Sequence, residues 1–474
     1  MDRLSALDVS FLHIEEADQS AHMHVASIGI FEGPAPDQSA IRQTLLDRLH
    51  LIPRYRQRVE TVPFEVARPV WVDAADFDID YHLRRSALSA PGSDEDLQAL
   101  VGRIVSQRLD RAKPLWEIWI VEGLAGDQWA MIGKVHHCLV DGVSGAELLS
   151  TLLDFSADGA KHDAPEWEPS EPATGEVARD AIRSLVTDVG DQLRSVGHAL
   201  RHPMQLVHEV GDVASGLRSM TGMIKPQDGS LTGSVGPHRL VAWTDASLDD
   251  IKTIRRGFGG TVNDVMLTAI ANGFRELLIA RGEDIEGRAV RTLVPVSTRA
   301  TRGDGAAAGD GELNNKVSAI FATLPVGEAD PVERLVMIRD EMNELKASGQ
   351  VHAGDAVTTL GGHAPAALLS LGEKVLVRGV SYVPFPVETV TTNVPGPQLP
   401  LYCVGQEMVR LYPFVPVASP LTIGVAIFSY NGQVHFTVTG DRDSAPDIDV
   451  LATGIEDGLA ELLRLAAVDE VHAP

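Results

Sequence analysis

Cysteine is nearly absent: Cys138 and Cys403 are the only two in 474 residues. Two thiols give no disulfide framework, and this usage points to a reducing compartment. Basic residues are also scarce. Forty Lys and Arg stand against 66 Asp and Glu, for a formal net charge of -26. This argues against nucleic acid as a partner, because phosphate must be neutralised by cations. It argues equally against charge-driven docking on anionic lipid, so any membrane contact must be apolar and local. No uninterrupted apolar run reaches membrane-spanning length; "VPVASPLTIGVAIF" (Val415 to Phe428) comes nearest, and it is short and carries prolines. The opening "MDRLSALDVSFLHIEEADQ" has no basic segment followed by an apolar one, so no signal peptide is expected. There is no Gly-x-Ser-x-Gly elbow near a suitable strand, which weakens a hydrolase reading. No repeat of solenoid period is visible. A soluble or peripheral protein remains.

An apolar share of 44% suffices for large cores, and the length exceeds what one core usually holds. Two domains are therefore expected. In the first half, "HMHVASIGIF" (His22 to Phe31) reads as a strand. "SAIRQTLLDRLH" (Ser39 to His50) reads as a helix with Ile41, Leu45, Leu46 and Leu49 on one face. A second helix is expected from Glu95 to Asp110. "WEIWIVEGL" and "QWAMIGKVHH" read as strands joined by "AGD", a hairpin signal. Trp116 and Trp119 sit in such a run and are expected to pack rather than to form a cofactor platform. Between Asp158 and Gly175 nothing periodic can be buried, which predicts a linker or crossover. Apolar residues return at helical spacing from Ile182 to Met220, broken by Pro203, and predict two packed helices. After a loop from Gln227 to Arg239, strands and helices alternate. "RAVRTLVPVS", "KVSAIFATLPV", "VETVTTNV", "LTIGVAIFSYNG" and "QVHFTVTGD" read as strands, and helices are expected from Asp264, Pro331 and Pro446. The order fits two α/β domains, 1–157 and 237–474, joined by a crossover over 158–236.

The stretch "KVHHCLVDGVSGAELLSTLLDF" (Lys134 to Phe155) puts two adjacent histidines at the end of an apolar run. His136 and His137 end a strand. Asp141 stands where a helix N-cap is wanted, and an apolar-faced helix with Leu148, Leu149, Leu152 and Leu153 follows. A capped turn with incidental histidines, a metal site, and a general base are all compatible with this pattern. Successive strand residues point to opposite sides, so only one histidine can face a given cavity. That favours a base over a metal site, since local zinc sites usually use helical i, i+4 spacing. Thr261 with Asp264 can form a capping box opening the helix that follows.

"HHCLVDG" matches His-His-x-x-x-Asp-Gly, the pattern of the CoA-dependent acyltransferase superfamily. "LSALDVSFLHIE", "HMHVASIGIFEG", "LDRAKPLWEIWIVEGL", "TVNDVMLTAIANGFRELL", "PVSTR" and "TTNVPGP" narrow it. The chain resembles the bacterial wax ester synthase/acyl-CoA:diacylglycerol acyltransferases, from Leu4 to about Asp441, most weakly over Asp158 to Thr232. The resemblance implies a mixed α/β fold of two chloramphenicol-acetyltransferase-like domains joined by a long helical crossover, with the active site at their interface. It implies direct transfer of a long acyl chain from acyl-CoA to diacylglycerol or a long-chain alcohol. His137 is then the general base and His136 supports it. Asp141 is structural, held by an arginine for which Arg291 and Arg299 are candidates, and Gly142 permits the tight turn. Asn263 and Asp264 match the family's Asn-Asp pair; Asn263 is the first candidate for the oxyanion donor, and a backbone N–H near Gly142 the second. "PLWE" (Pro114 to Glu117) and "NVPGP" (Asn393 to Pro397) shape channel and core. Arg255, Arg256, Arg299, Arg302 and Lys316 are candidates for the CoA phosphates. No cofactor or metal is implied, because acyl-CoA is a substrate. The expected setting is cytoplasmic, with peripheral attachment to membrane or lipid droplet. One departure is "LNNKVS", which puts Asn314 where family members often have glycine and bears on substrate range. A non-catalytic lipid-binding paralogue and a condensation-type enzyme using a carrier-protein thioester are the alternatives, although no carrier module is visible.

Overall fold

The computed structural model describes residues 1–62, 67–139, 152–159, 164–170, 229–297, 317–347 and 387–472, with positions 172, 175–177, 179, 180 and 183. Asp141, Gly142, Arg299, Arg302, Asn314 and Lys316 lie outside these residues. So does the expected helical stretch Ile182 to Met220, apart from Arg183.

The first half runs α1 (Ala6–Ala17), β1 (His24–Glu32), α2 (Gln38–Arg48), β2 (Gln57–Glu60), β3 (Val70–Asp73), α3 (Ile79–His82), β4 (Leu83–Ala87), α4 (Asp94–Val105), β5 (Trp116–Leu124) and β6 (Gln128–His136). The second runs β7 (Arg239–Ser247), α5 (Leu248–Phe258), α6 (Val262–Ala280), β8 (Val290–Ser297), β9 (Val317–Leu324), α7 (Pro331–Ala347) and β10 (Thr389–Pro395). It continues with β11 (Tyr402–Cys403), β12 (Gln406–Phe414), β13 (Ile423–Tyr430), β14 (Gln433–Asp441) and α8 (Ile448–His472).

Local chemistry sets the ends of these elements. Ser5 with Asp8, Ser93 with Asp96, and Thr261 with Asp264 form reciprocal capping boxes that start α1, α4 and α6. The β5–β6 hairpin turns at "AGD", where Gly126 (φ 78°) and Asp127 (φ 54°) take left-handed conformations. The helix expected to reach Asp110 stops at Val105. There the buried Lys134 ammonium takes the carbonyls of Ile104 and Gln107, so the chain leaves the helix to meet it.

The strands form two six-stranded mixed sheets, ordered β11-β12-β1-β6-β5-β4 and β7-β14-β13-β10-β8-β9, and β2 pairs with β3 in a small third sheet. β6 lies inside the first sheet, antiparallel to β1 and β5, with His136 opposite His24. Both its faces are largely buried, so its sequence carries apolar residues at successive positions rather than alternating. The sheets do not divide the chain at one point. β11 and β12, from the second half, extend the first sheet beside β1. The two sheets are also tied by Tyr412 on β12, whose hydroxyl donates to Asp245 on β7 (2.7 Å), while Asp245 pairs with His435 on β14 (2.6 Å).

α6 and α8 pack over the second sheet in a large apolar cluster. Gly273 allows their close crossing: a Cβ there would lie 2.6 Å from the Leu451 carbonyl oxygen. The first sheet's main cluster holds Trp116, Trp129, Cys138 and Leu139 together with Phe428 and Tyr430 from β13. Trp116 stacks between Tyr55 and His82 and donates to the Tyr55 carbonyl, so it is a packing residue, as expected.

Candidate active site

The two histidines have different surroundings. His136 is the last residue of β6 and is 1% exposed; His137 begins a short 3-10 turn, His137–Leu139, and is partly exposed. The His137 main-chain N–H donates to the Met23 carbonyl (2.9 Å), which fixes it against the segment leading into β1. Its ring stacks on Phe11 of α1, with centroids 4.0 Å apart and planes at 28°. Burial holds its pKa down at about 4, and the charge of His136 adds to this against an opposing backbone hydrogen bond. The ring is thus neutral at pH 7 while still partly accessible.

His136 sits in a polar network. Its Nδ1 accepts the Cys138 main-chain N–H (3.2 Å) and lies 3.0 Å from the Cys138 thiol. Its Nε2 lies 3.6 Å from Glu15 Oε1. Glu15 also takes the Met23 N–H (3.0 Å), Arg108 and Arg111, and sits 3.4 Å from His24 Nε2. Burial would raise the Glu15 pKa. The close approach of His136, with His24 and the Met23 N–H, outweighs it and holds the carboxyl well below the usual carboxylate range. Among the described residues, no group of three or more His, Cys, Asp or Glu is arranged to hold a metal ion.

The segment after the motif returns at Leu152. Arg48 of α2 donates to the Leu152 carbonyl and to Asp154 Oδ1 (2.5 Å), and both partners of that ion pair are buried. Asp154 also bridges Tyr402 of β11. The chain is therefore anchored to both halves where it resumes at Leu152–Asp154.

Asn263 and Asp264 open α6. Asp264 Oδ2 accepts the Thr261 N–H (2.7 Å), while its other carboxylate oxygen is buried with no hydrogen-bond partner. Asn263 Oδ1 accepts from Asn393 Nδ2 (2.9 Å), so "TVND" and "NVPGP" meet, and the Asn263 amide keeps its own N–H donors. Val394, the next residue, packs on the cluster that contains Cys138 and Leu139. Arg255 and Arg256 lie exposed in the last turn of α5, where they also complement the helix dipole. Arg339 of α7 lies over the following Gly259–Gly260 turn and adds a third cation near the start of α6. Arg291 lies half-buried on β8, where its main-chain N–H donates to Glu388. Glu15, Phe11, Met23 and Arg339 were not singled out by the sequence. For the first two a signal existed: Ser5-x-x-Asp8 marks a helix start, and Phe11 and Glu15 then share one face by i, i+4 spacing.

Comparison with known proteins gives a consistent picture. A family profile described as the wax ester synthase/diacylglycerol acyltransferase catalytic domain matches residues 4–266. The WS/DGAT C-terminal domain profile matches residues 313–463. A Mycobacterium bovis protein named as a diacylglycerol O-acyltransferase is 34% identical over 467 residues, 98% of this chain and 96% of its own length. A Mycobacterium tuberculosis H37Rv protein named for the same activity aligns with the same figures. Among solved structures, the wax ester synthase/diacylglycerol acyltransferase from Marinobacter aquaeolei VT8 is 26% identical with TM-score 0.68, over 98% of this chain and 100% of that one. The first condensation domain of the calcium-dependent antibiotic synthetase, 16% identical with TM-score 0.59 over 98% and 96% of the two chains, shares the fold.

Proposed function

The chain belongs to the wax ester synthase/diacylglycerol acyltransferase family, and from that premise we propose that it transfers a long-chain acyl group from acyl-CoA to the hydroxyl of diacylglycerol or a long-chain alcohol. The observation that carries this reading is the split of the histidine pair: His136 is tied up by Glu15 and Cys138, while His137 stays neutral and partly exposed.

The reaction needs no covalent enzyme intermediate, because the thioester carbonyl is already activated. An alcohol is a poor nucleophile at neutral pH. His137 takes its proton as oxygen bonds to the carbonyl carbon. The tetrahedral species collapses, the carbon–sulfur bond breaks, and the imidazolium returns the proton to the CoA thiolate. Burial favours the uncharged ring, which is the form that accepts the proton. Asn263 is assigned the developing oxyanion, because Asn393 occupies its carbonyl and leaves its N–H groups to donate. Arg255 and Arg256, with Arg339, supply positive charge for the CoA phosphates in a chain that is otherwise acidic. Asp141 and Gly142, to which the motif assigns structural roles, lie outside the described residues.

Among the described residues, no helix is long and apolar enough to cross a membrane. The acceptors are lipids, so the enzyme meets them peripherally at a membrane or droplet surface from the cytoplasmic side. Phe155 and Leu399 are exposed, one beside Asp154 and the other three residues before its bridge partner Tyr402, and they support such a local apolar contact.

Incubating the purified protein with labelled palmitoyl-CoA and either dioleoylglycerol or hexadecanol tests this. Ester and free thiol are expected to form in equal amounts. Thiol without ester would mean hydrolysis, and no turnover with either acceptor would mean a binding protein.

A further inference from the structure

We propose that Glu15 is the positioning residue for His137, holding it through both the main chain and the neighbouring ring. This rests on His137 being the base.

The geometry supplies two routes from one oxygen. Glu15 Oε1 accepts the Met23 N–H (3.0 Å), and the Met23 carbonyl in turn accepts the His137 N–H (2.9 Å). The same oxygen faces His136 Nε2 at 3.6 Å. His136 Nδ1 accepts the Cys138 N–H, which leaves Nε2 as the ring atom that faces Glu15. That ring-to-backbone bond closes around His137 and shapes the 3-10 turn presenting it. One helical turn earlier on α1, Phe11 stacks on the His137 ring. A single face of α1 thus holds the base from three directions.

The opposite side of the carboxylate is anchored separately. Glu15 Oε2 accepts from Arg108 (3.3 Å) and Arg111 (3.1 Å), and those guanidiniums also take the carbonyls of Glu15 and Leu12. The remaining titratable groups around it are His22, His24, Lys134, Cys138 and Asp8. A buried ion network by itself is weak evidence for more than folding. Here the face of the carboxylate that meets Met23 and His136 is distinct from the face that meets the arginines, so the two roles can be separated by substitution.

Glu15→Gln keeps an acceptor for Met23 but loses the charge facing His136. Steady-state kinetics with palmitoyl-CoA and dioleoylglycerol should show kcat reduced by about tenfold or more, with both KM values within about threefold of wild type. Arg111→Met removes an ion pair from the same carboxylate on its other side. It should lower the melting temperature comparably while leaving kcat within about threefold. If Glu15→Gln does not fold, His136→Asn carries the same kcat-against-KM test. Wild-type kcat in the folded Glu15→Gln protein, or in His136→Asn in its place, overturns the proposal. An equal kcat loss in Arg111→Met overturns it too. These failures differ from failure of the base assignment, which His137→Ala reports on its own.

Discussion

His137 is the proposed base, and its environment fixes how activity should then depend on pH. Burial depresses its pKa to about 4, so the neutral, proton-accepting form persists well below the ordinary histidine range. The acid limb of log kcat/KM, which reports the free enzyme, should therefore have its midpoint near pH 4. A midpoint near 6.5 would mean that the ring titrates as if solvated. A second residue-scale expectation concerns Asn263. Asn263→Ala removes the assigned oxyanion donor and should lower kcat by about 10²–10³-fold with folding intact, as loss of one such donor typically does. Unchanged kcat would transfer that role to another donor. Asp264 behaves differently: the capping box that its spacing from Thr261 suggested is present, and structure alone accounts for its carboxylate oxygen bonded to Thr261.

At the scale of elements, α1 does more than cover a sheet. It brings Phe11 and Glu15 to the end of β6, and its start depends on Ser5 and Asp8. Ser5→Ala should cost about 1 kcal/mol of stability, the usual effect of losing an N-cap, measurable by urea denaturation. A loss below a few tenths would mean that tertiary contacts alone hold the helix start. Much of the element map was legible in the sequence. β5, β6, β8, β13 and β14 follow runs whose β-branched and apolar residues and turn signals mark them, and α6 and α7 follow caps and prolines. The histidine pair was legible as the end of a strand, and the structure ends β6 at His136 with His137 opening a 3-10 turn. The shared face of Phe11 and Glu15 on α1 could be read from its cap and spacing, but their partners could not. A buried glutamate looks like any other acidic residue until the fold brings Met23, His136 and two arginines to it. β12 was missed for a related reason: its pairing with β1 joins residues nearly four hundred positions apart, and no local pattern encodes that.

At the scale of the molecule, the two sheets exchange chain. β1 lies between β6 of its own half and β12 of the other, and Tyr412, Asp245 and His435 link the sheets across β12, β7 and β14. A fragment ending before Arg239 would leave the β1 edge unpaired, with apolar neighbours such as Ile28, Ile30 and Phe31 beside it. Such a fragment should aggregate on expression, and adding residues 237–474 in trans should restore soluble protein. A soluble monomeric fragment with native-like circular dichroism would show that the first half folds alone. The same interlocking appears where the chain resumes after β6: Asp154 pairs with Arg48 of the first half and bridges Tyr402 of the second.

The most direct measurement is the rate of ester formation by His137→Ala, with labelled palmitoyl-CoA and dioleoylglycerol, beside wild type at equal concentration and with matched melting curves. Loss of a positioned general base should lower kcat by about 10²–10⁴-fold while the fold persists. Ester formation at the wild-type rate by the folded variant would contradict the assignment of His137 and, with it, the mechanism.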